Sequence, residues 1–389
     1  MPGDAKTVLL INQLGAGFGH VSALLPIGAA LAGRGHSIVC SMADMLHASL
    51  SLRRVGFPVV QAPVWPGRRS DEPSSYADLL VLNGFESVPA LMLMVQAWQD
   101  LFDIIAPDLI VADHSPTAAL AAYGSIPTVL VGNGFAMPPH DLPGFPILQP
   151  GRDALAPEAR LLEAVCEVQD RRGRPAPPSL PGLFAAEFRA VLTLPELDPY
   201  DSQRNEQVLG PMGQLPPYRP SPPSRSVYAY LATDHPEIEE IAAGLALADA
   251  DISCHVRGDN GRIAEFLAAR GVAVLEEPAD LANTLPSCAA VVSHGSLGMA
   301  HAALAAGRPQ LTLPHDLEKR SAAAALDGLG VSSTIIDNVD ASTVAAQIDR
   351  LISDSEYGHR ASVCAQSILA RPSADALGTV VDACEDLLG

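Results

Sequence analysis

Short apolar runs alternate along the first part of the chain with stretches whose apolar residues recur at helical spacing. The run at 7–12 is followed by such a stretch at 21–34 and by a second run at 37–42. This succession predicts a β-α-β unit with parallel strands. The same pattern predicts further strands at 58–61, 108–112 and 128–131, and helices at 46–55, 91–105 and 116–123.

A second series of the same kind begins at residue 226. Near-continuous apolar strands suit a sheet that is covered by helices on both faces. The sequence therefore predicts an α/β protein with two Rossmann-like, doubly wound domains that face each other across a cleft. In this series strands are predicted at 226–231, 252–257, 272–275, 289–293, 310–313 and 333–336, and helices at 236–248, 263–269, 280–285, after 293 and near 321–329.

The segment between the two series is rich in proline, which makes a chain stiff and extended. We predict an N-terminal domain at 1–208, a linker at 209–225 and a C-terminal domain at 226–370. A last helix within 371–389 is expected to pack back on the N-terminal domain. The irregular stretches 63–90 and 136–185 are either loops that shape a ligand site or plain surface excursions.

A compact motif at 291–314 combines a short strand, a His-Gly-Ser turn, an alanine-rich helix, a Gly-x-Pro stop and a second strand. The turn carries His294 to the start of the helix. Backbone amides at a helix start lack intrahelical partners, and the helix dipole favours negative charge there. The motif therefore predicts a phosphate-binding turn of a nucleotide site.

A second glycine-rich turn, at 13–20, follows the first strand and ends at His20. Its G-x-G-x-G spacing is a poor match to the dinucleotide fingerprint G-x-G-x-x-G. Asp113 ends a buried strand of the same sheet, so a His20–Asp113 pair is expected, in which the histidine acts as general base. A structural, helix-capping role for His20 stays open, and His114 is expected to point to the other side of its strand end.

Composition narrows the function further. The chain has 389 residues, of which 48% are hydrophobic and 17% charged, and a net charge of −20. Such a chain is not suited to binding nucleic acid or a membrane surface, so an anionic ligand has to be held by local groups. The six scattered cysteines favour reduced thiols and a cytoplasmic protein, and we expect neither a signal peptide nor stable membrane insertion.

Two blocks, GHVSALLPIGAALAGRGHSI at 19–38 and SHGSLG with ALAAGRP at 293–309, carry a resemblance. The chain resembles the GT-B glycosyltransferases of the UDP-glucuronosyltransferase and antibiotic, or natural-product, glycosyltransferase type, family 1-like, over nearly its whole length. The resemblance implies an N-terminal acceptor-binding domain and a C-terminal nucleotide-sugar-binding domain. It also implies an inverting, metal-independent hexosyltransferase of secondary metabolism, with no cofactor besides its nucleotide-sugar co-substrate. A homodimer is one possible assembly.

The resemblance also implies roles for individual residues. His20 would deprotonate a hydroxyl of a small lipophilic acceptor, and Asp113 would stabilise the imidazolium. The implied diphosphate-binding residues are Thr233, His294, Gly295, Ser296 and Leu297; the base and ribose residues are Glu277, Pro278 and Ala302; the sugar residues are His315, Asp316, Glu318 and Lys319; and the acceptor pocket comprises Trp65, Phe85, Met92, Phe135 and Met137.

Departures from the family pattern indicate the donor. Ala302 stands where a glutamate commonly holds the ribose hydroxyls, and Glu318–Lys319 replaces an Asp-Gln pair that commonly binds glucose; Ser296 and Met299 also differ. These changes favour a dTDP-activated deoxy or amino sugar. The alternatives are a UDP-glucose-type transferase, a nucleotide-sugar epimerase on the same fold, and a non-catalytic auxiliary protein.

Overall fold

The chain folds as two compact units, and each has its own sheet and core. Unit 1 comprises Met1–Gly213 and Ala374–Gly389, and unit 2 comprises Gln214–Ser373. The division falls within the proline-rich segment 209–225, and the chain passes from one unit to the other twice. The structure, a computed structural model, describes residues 5–15, 18–45, 52, 54–67, 71–222, 224–372 and 374–389.

Unit 1 is built on a parallel sheet of six strands. The strands are β1 (Thr7–Asn12), β2 (Ser37–Met42), β3 (Val59–Gln61), β4 (Leu109–Asp113), β5 (Thr128–Gly132) and β6 (Phe188–Val191), in the order β3-β2-β1-β4-β5-β6. Along β1, Leu9 and Ile11 lie in one hydrophobic cluster, whereas Val8 and Leu10 lie in another. The sheet is therefore covered on both faces. Helices of this unit are α1 (Phe18–Gly33), α2 (Tyr76–Leu82), α3 (Val88–Ile105), α4 (Pro116–Ala122) and α5 (Glu158–Arg171).

Unit 2 repeats this architecture. Its strands are β7 (Ser226–Ala232), β8 (Asp251–Arg257), β9 (Ala273–Leu275), β10 (Ala290–Ser293), β11 (Gln310–Thr312) and β12 (Ser332–Thr334), in the parallel order β12-β11-β10-β7-β8-β9. Side chains of β7 alternate between a cluster with Val227 and a cluster with Tyr228. Its helices are α6 (Ile238–Leu247), α7 (Arg262–Ala268), α8 (Leu281–Thr284), α9 (Leu297–Ala306), α10 (Leu317–Gly328), α11 (Ala341–Ser353) and α12 (Ser355–Leu369).

The predicted fold class is confirmed by these two sheets. Predicted strand ends agree with the observed ones to within two residues, whereas α1, α3 and α10 begin three or four residues earlier than predicted. First turns carry few apolar residues at regular spacing, so periodicity places them poorly. The helix predicted at 46–55 falls mostly on residues outside the described ranges.

The two stretches that appear irregular in sequence contain regular structure. Helix α2 lies within 63–90 and α5 within 136–185. Leu161, Val165 and Val168 form the buried face of α5. The surrounding prolines and glycines hid this helix from the sequence, as they did strand β6, which is only four residues long.

The last helix, α13 (Ala376–Leu388), belongs to unit 1. Its residues Val380, Val381 and Cys384 are buried in the same hydrophobic cluster as Val8 and Leu10 of β1. The helix thus completes one of the two faces of the first sheet, although it is separated from that sheet in sequence by the whole of unit 2.

Helix α3 is long and apolar enough to cross a membrane, with a mean hydropathy of 1.2. One of its faces packs into the core of unit 1 through Leu91, Val95 and Trp98, which are fully buried, and Phe102. A core helix of a globular protein has the same composition, so the helix is accounted for by its packing.

A buried ion pair fixes two loops of unit 1 to each other. The guanidinium of Arg204 contacts Asp198, and their side chains are 2% and 0% exposed. Arg204 also pairs with Glu206, and it donates to the carbonyls of Met137, at 2.9 Å, and Gly134, at 3.3 Å. The segment 134–138, which follows β5, is therefore held by this arginine.

Candidate functional site

The first candidate site lies at the carboxyl ends of β1 and β4, which are neighbours in the sheet of unit 1. Asn12 and Asp113 are register partners at these ends. His20, in the first turn of α1, places its Nδ1 2.7 Å from Oδ2 of Asp113. The two side chains are 13% and 4% exposed. The structure therefore brings together the two residues that the sequence paired, although 92 residues separate them in the chain.

The turn before His20 is tied to the strand end that carries Asp113. The amide of Leu14 donates to the carbonyl of His114 at 3.0 Å, and the Asn12 side chain donates to the carbonyl of Leu14 at 2.8 Å. The Gln13 side chain accepts from the amide of Thr117 and donates to its hydroxyl. Gln13 thus caps the start of α4, and these bonds fix the two parts of the site against each other.

Gly15 leaves the room that the imidazole of His20 occupies. Its φ of +89° is one that other residues rarely adopt, and a Cβ built on Gly15 would lie 2.1 Å from Nε2 of His20. The ring therefore packs directly against the glycine backbone. Of the turn glycines that the sequence drew attention to, Gly17 lies outside the described residues.

This geometry is suited to proton transfer. Because Asp113 engages Nδ1, the neutral tautomer of His20 carries its proton on Nδ1, and Nε2 is the basic nitrogen. A carboxylate in contact with the ring stabilises the imidazolium that forms when Nε2 takes up a proton. The second carboxylate oxygen of Asp113, Oδ1, is buried and has no hydrogen-bond partner among the described residues.

His114 does not point away from this site, so that expectation is wrong. Its ring centroid lies 6.0 Å from that of His20, 5.9 Å from Tyr76 and 6.2 Å from Phe135. The backbone of His114 has a φ of +45°, in the left-handed region. The strand alternation that underlay the expectation therefore does not extend to this residue.

The predicted acceptor-pocket residues are placed differently from one another. Phe85, Phe135 and Met137 are buried in the hydrophobic core of unit 1, so the structure places them in the core rather than along an open pocket. Met92 packs partly buried against the same core, and Trp65 is half-buried. Aromatic and methionine side chains in irregular segments are buried whenever the core offers room, and sequence alone does not distinguish the two cases.

The second candidate site begins at the His-Gly-Ser turn between β10 and α9 in unit 2. Gly295 has a φ of +81°, and Ser296 is the N-cap residue of α9. The amide of Gly295 donates to Oγ of Ser293 at 3.1 Å, so this bond already engages it within the turn. Ser296 makes no capping bond with its side chain, and the amides of Ser296 and Leu297 precede the first intrahelical bonds.

His294 is buried beside these amides. His294 is 6% exposed, and its Nδ1 has no hydrogen-bond partner in the described part of the chain. Burial, and then the charge of Lys319, lower its pKa from 6.5 to about 3. His294 is therefore a neutral imidazole at neutral pH, and it can donate one hydrogen bond without carrying a charge.

His315, one of the predicted sugar residues, lies next to His294, with 6.1 Å between the ring centroids. Burial and Lys319 lower its pKa to about 4. His235 packs edge-on against His315 at 4.9 Å, and its Nε2 donates to the carbonyl of Leu313 at 3.0 Å. Three neutral histidines thus adjoin the carboxyl ends of β7, β10 and β11.

Unit 2 is expected to lose stability as the pH falls below about 6.5. The unfolded chain takes up a proton on His294 near its ordinary pKa of 6.5, whereas the folded protein does so only near 3. Wherever the unfolded state binds more protons than the folded state, the free energy of unfolding decreases as the pH decreases. For His294 alone, this decrease is up to about 1.4 kcal/mol per pH unit. Urea unfolding between pH 7 and 5 measures this slope.

His294→Gln should reduce the pH slope but not abolish it, because the pKa of His315 is also lowered in the folded protein. His359→Gln, which alters an exposed histidine of α12, should leave the slope unchanged. An unfolding free energy of wild type that does not change over this range would contradict the burial of a neutral His294.

The other predicted sugar residues stand at the start of α10. Asp316 is the N-cap residue and accepts from the amide of Lys319 at 2.9 Å. Its carboxylate also pairs with the Lys319 ammonium. Burial alone would raise the pKa of Asp316, but Lys319 outweighs it and holds this pKa below the ordinary value. Glu318 is half-buried on the first turn.

The predicted base and ribose residues have contrasting surroundings. Glu277 and Pro278 are exposed, after β9. The loop that carries them is tied down where the amide of Ala279 donates to the Tyr228 hydroxyl at 3.3 Å. Ala302 is 5% exposed and packs in a hydrophobic cluster with Tyr228, so it offers no polar group to a ribose.

Sequence reasoning missed three residues beside the turn. Tyr230 of β7 stacks on His255 of β8, with 5.8 Å between centroids, and its ring is also 5.8 Å from that of His294. Arg257 ends β8, and its carbonyl accepts from the amide of the predicted diphosphate residue Thr233, which is exposed. These residues lie within strands and belong to no motif. Only the strand order reveals that they are neighbours of the turn.

The described residues were compared with the side-chain groups that bind metal ions. The residues that the structure describes contain no group of three or more His, Cys, Asp and Glu side chains arranged to hold an ion. None of the six cysteines, all of which lie in the described ranges, forms a disulfide, and Cys40, Cys254, Cys288 and Cys384 are buried.

Comparisons with known proteins place this geometry in context. Residues 241–387 match the C-terminal domain of the erythromycin biosynthesis protein CIII-like family. The L-demethylnoviosyl transferase of Streptomyces niveus is 26% identical over 370 residues, which cover 88% of this chain and 89% of that protein.

Solved structures share the fold over the whole chain. CalG4, the calicheamicin glycosyltransferase, has a TM-score of 0.70 at 22% identity, with 99% of each chain covered. The glycosyltransferase VinC, in complex with DTDP, has a TM-score of 0.58 at 17% identity, with 98% of this chain and 100% of that chain covered. These likenesses agree with the resemblance that the two sequence blocks carry.

Proposed function

We propose that this chain, a GT-B glycosyltransferase related to those of antibiotic biosynthesis, is an inverting enzyme that moves a sugar from a nucleotide diphosphate to a hydroxyl of a small lipophilic acceptor. The single observation that carries the proposal is the contact of 2.7 Å between His20 and Asp113. A buried histidine–carboxylate pair at the carboxyl edge of a parallel sheet is suited to general base chemistry.

In the proposed reaction, Nε2 of His20 takes the proton of the acceptor hydroxyl. The oxygen attacks the anomeric carbon of the donor sugar while the bond from that carbon to the diphosphate breaks, which inverts the configuration. Asp113 stabilises the imidazolium that forms. Because the base acts as the oxygen attacks, its contribution appears in kcat rather than in donor binding.

The leaving diphosphate carries the electron pair of the broken bond, and unit 2 has hydrogen-bond donors that can bind it. His294 and the amides of Ser296 and Leu297 are fixed donors at the start of α9. Fixed donors stabilise a developing negative charge with little reorganisation, so no metal ion is required for this step. The amide of Gly295 is left out of this set because Ser293 already accepts from it.

The proposed donor is a dTDP-activated deoxy or amino sugar. Ala302 presents no carboxylate to a ribose 2′-hydroxyl, and the structure packs it into an apolar cluster, which supports a 2′-deoxyribose donor. VinC, which has the same fold, was solved with DTDP. Lys319 pairs with Asp316 at the predicted sugar end, and Glu318–Lys319 stands where the resemblance implies an Asp-Gln pair for glucose. We propose a cytoplasmic enzyme that needs no cofactor besides this co-substrate.

Titration of the protein with dTDP, UDP and GDP by calorimetry tests the donor. We expect dTDP to bind at least about 10-fold more tightly than UDP, because a buried apolar contact leaves a ribose 2′-hydroxyl unpaired. Mass spectrometry then follows hydrolysis of the matching sugar donors. A clear preference for UDP would overturn the dTDP assignment, and an absence of binding to all three would overturn the donor site itself.

A further inference from the structure

Arg257 stands out among the charged residues near the His-Gly-Ser turn because no motif accounts for it. It is the last residue of β8 and the register partner of Ala232, which ends β7. Its side chain is 24% exposed. The guanidinium therefore lies at the carboxyl edge of the sheet of unit 2, where the Thr233–Asp234 turn also begins.

The position of this guanidinium is fixed by the protein. Arg257 donates to Oδ2 of Asp234 at 2.8 Å. The charge of Arg257 outweighs burial and holds the pKa of Asp234 below its ordinary value. A guanidinium has five N–H donors in a rigid fork, so one bond to Asp234 leaves donors for a second anion.

The strand order places Arg257 between the two ends of the proposed nucleotide site. The sheet runs β10-β7-β8-β9, so the His-Gly-Ser turn follows β10, whereas the Glu277–Pro278 loop follows β9. A nucleotide with its base at that loop and its terminal phosphate at that turn has to cross the ends of β7 and β8. The group of the nucleotide that lies between the base and the terminal phosphate is the ribose 5′-phosphate.

The neighbours of Arg257 agree with this placement. Burial raises the pKa of Tyr230, and the charge of Arg257 opposes that effect. Burial lowers the pKa of His294, and the charge of Arg257 adds to that effect. The ring of Tyr230 lies between His255 and His294, 5.8 Å from each. Arg257 therefore shares its electrostatic surroundings with the turn. In a chain whose net charge is −20, such a local cation is needed to attract an anion.

We infer that Arg257 is a donor-binding residue whose guanidinium, held by Asp234, binds the α-phosphate of the nucleotide diphosphate. This inference rests on the proposed function, because it takes the nucleotide as the ligand of unit 2. It assigns the residue no part in the chemistry at the anomeric carbon. Arg257 would instead set the affinity and the position of the donor.

The test compares three ligands that differ only in phosphate number. Binding of dTDP and dTMP is measured by calorimetry, and binding of thymidine by ligand-observed NMR, for wild type and Arg257→Met. We expect the variant to bind dTDP and dTMP about 10- to 100-fold more weakly, which is the loss typical of a charge-assisted hydrogen bond, and to bind thymidine unchanged.

Arg262→Met is the matched control. Arg262 lies in the same unit, is 66% exposed and pairs with Glu239 at 2.6 Å, so its loss should not change any of the three affinities. Arg257→Lys retains the charge but not the fork, and we expect it to recover part of the affinity for dTDP. Circular dichroism and thermal unfolding of each variant confirm that it is folded.

Each outcome decides the inference. If Arg257→Met loses as much affinity for thymidine as for dTDP, Arg257 only holds the Thr233–Asp234 turn. If it loses affinity for dTDP alone, Arg257 does not bind the α-phosphate. Either result would overturn the inference. Unchanged dTDP binding by Arg257→Met would also overturn it, while the proposed function stands. If wild type binds no nucleotide, the proposed function fails first, and that result is separate from the behaviour of the variant.

Discussion

Replacing His20 by alanine is expected to lower kcat for sugar transfer by about 10²- to 10⁴-fold, the usual contribution of a positioned general base. The reason is local: Nδ1 of His20 lies 2.7 Å from Asp113, so the ring is oriented with Nε2 as its basic nitrogen. Without it, the acceptor hydroxyl attacks while it still carries its proton. Single-turnover rates with saturating donor and acceptor measure the effect.

Two further variants identify the role of the pair. Asp113→Asn should retain the orientation of the ring but remove the charge that stabilises the imidazolium, so we expect an intermediate loss in kcat and a shifted pH–rate profile. His359→Ala, at an exposed position of α12, should transfer sugar as wild type does. The affinity for dTDP should be unchanged in all three. Undiminished transfer by His20→Ala would remove His20 as the base.

Replacing Arg204 by methionine is expected to destabilise unit 1 by about 3–5 kcal/mol, because it leaves a buried carboxylate without its partner. The Asp198 side chain is 0% exposed and contacts the arginine directly. Arg204 also pairs with Glu206, whose pKa is held below its ordinary value, against the effect of burial, by Arg189 and Arg204. Loss of the arginine therefore affects two carboxylates and the loop carbonyls of 134–138. Urea unfolding measures the change.

The double variant Asp198→Asn, Arg204→Met should be less destabilised than the single one, because no charge then remains unpaired at Asp198. Arg171→Met is the surface control. Arg171 pairs with Glu167, and their side chains are 55% and 50% exposed. Such a pair contributes less than about 1 kcal/mol. If Arg204→Met unfolds at the same urea concentration as this control, the pair is not a source of stability.

Sequence periodicity was sufficient for every strand of the two sheets except β6 because a buried parallel strand is a nearly continuous apolar run. The same logic paired His20 with Asp113, since both stand where parallel strands end, and the structure joins them. Reasoning from strand ends failed at His114, where the backbone conformation departs from the alternation of side chains along a strand. His114, with its φ of +45°, turns its ring toward His20. The amide of Gly295 was expected to be free, but the Ser293 hydroxyl, which no pattern indicates, engages it.

Residues whose importance depends on the order of strands could not be found from the sequence. Tyr230 and Arg257 precede His294 by more than thirty positions and lie in apolar strands. They become neighbours of His294 only because β10 inserts beside β7, not beside β9. The predicted acceptor residues are a different case, and their role stays a prediction. Phe85, Phe135 and Met137 have the composition of a pocket lining, but core burial selects for the same side chains.

Helix α13 has a consequence for synthesis of the chain on the ribosome. It covers one face of the first sheet through Val380, Val381 and Cys384, yet it follows unit 2 in the chain and is translated after it. A nascent chain that already contains residues 1–213 must therefore wait, with the apolar surface of β1 incompletely covered, until all of unit 2 has been made. Unit 2 is continuous in sequence and can fold as it emerges. Unit 1, whose strands are encoded before unit 2, is thus completed after it, because it depends on helix α13 for its closure.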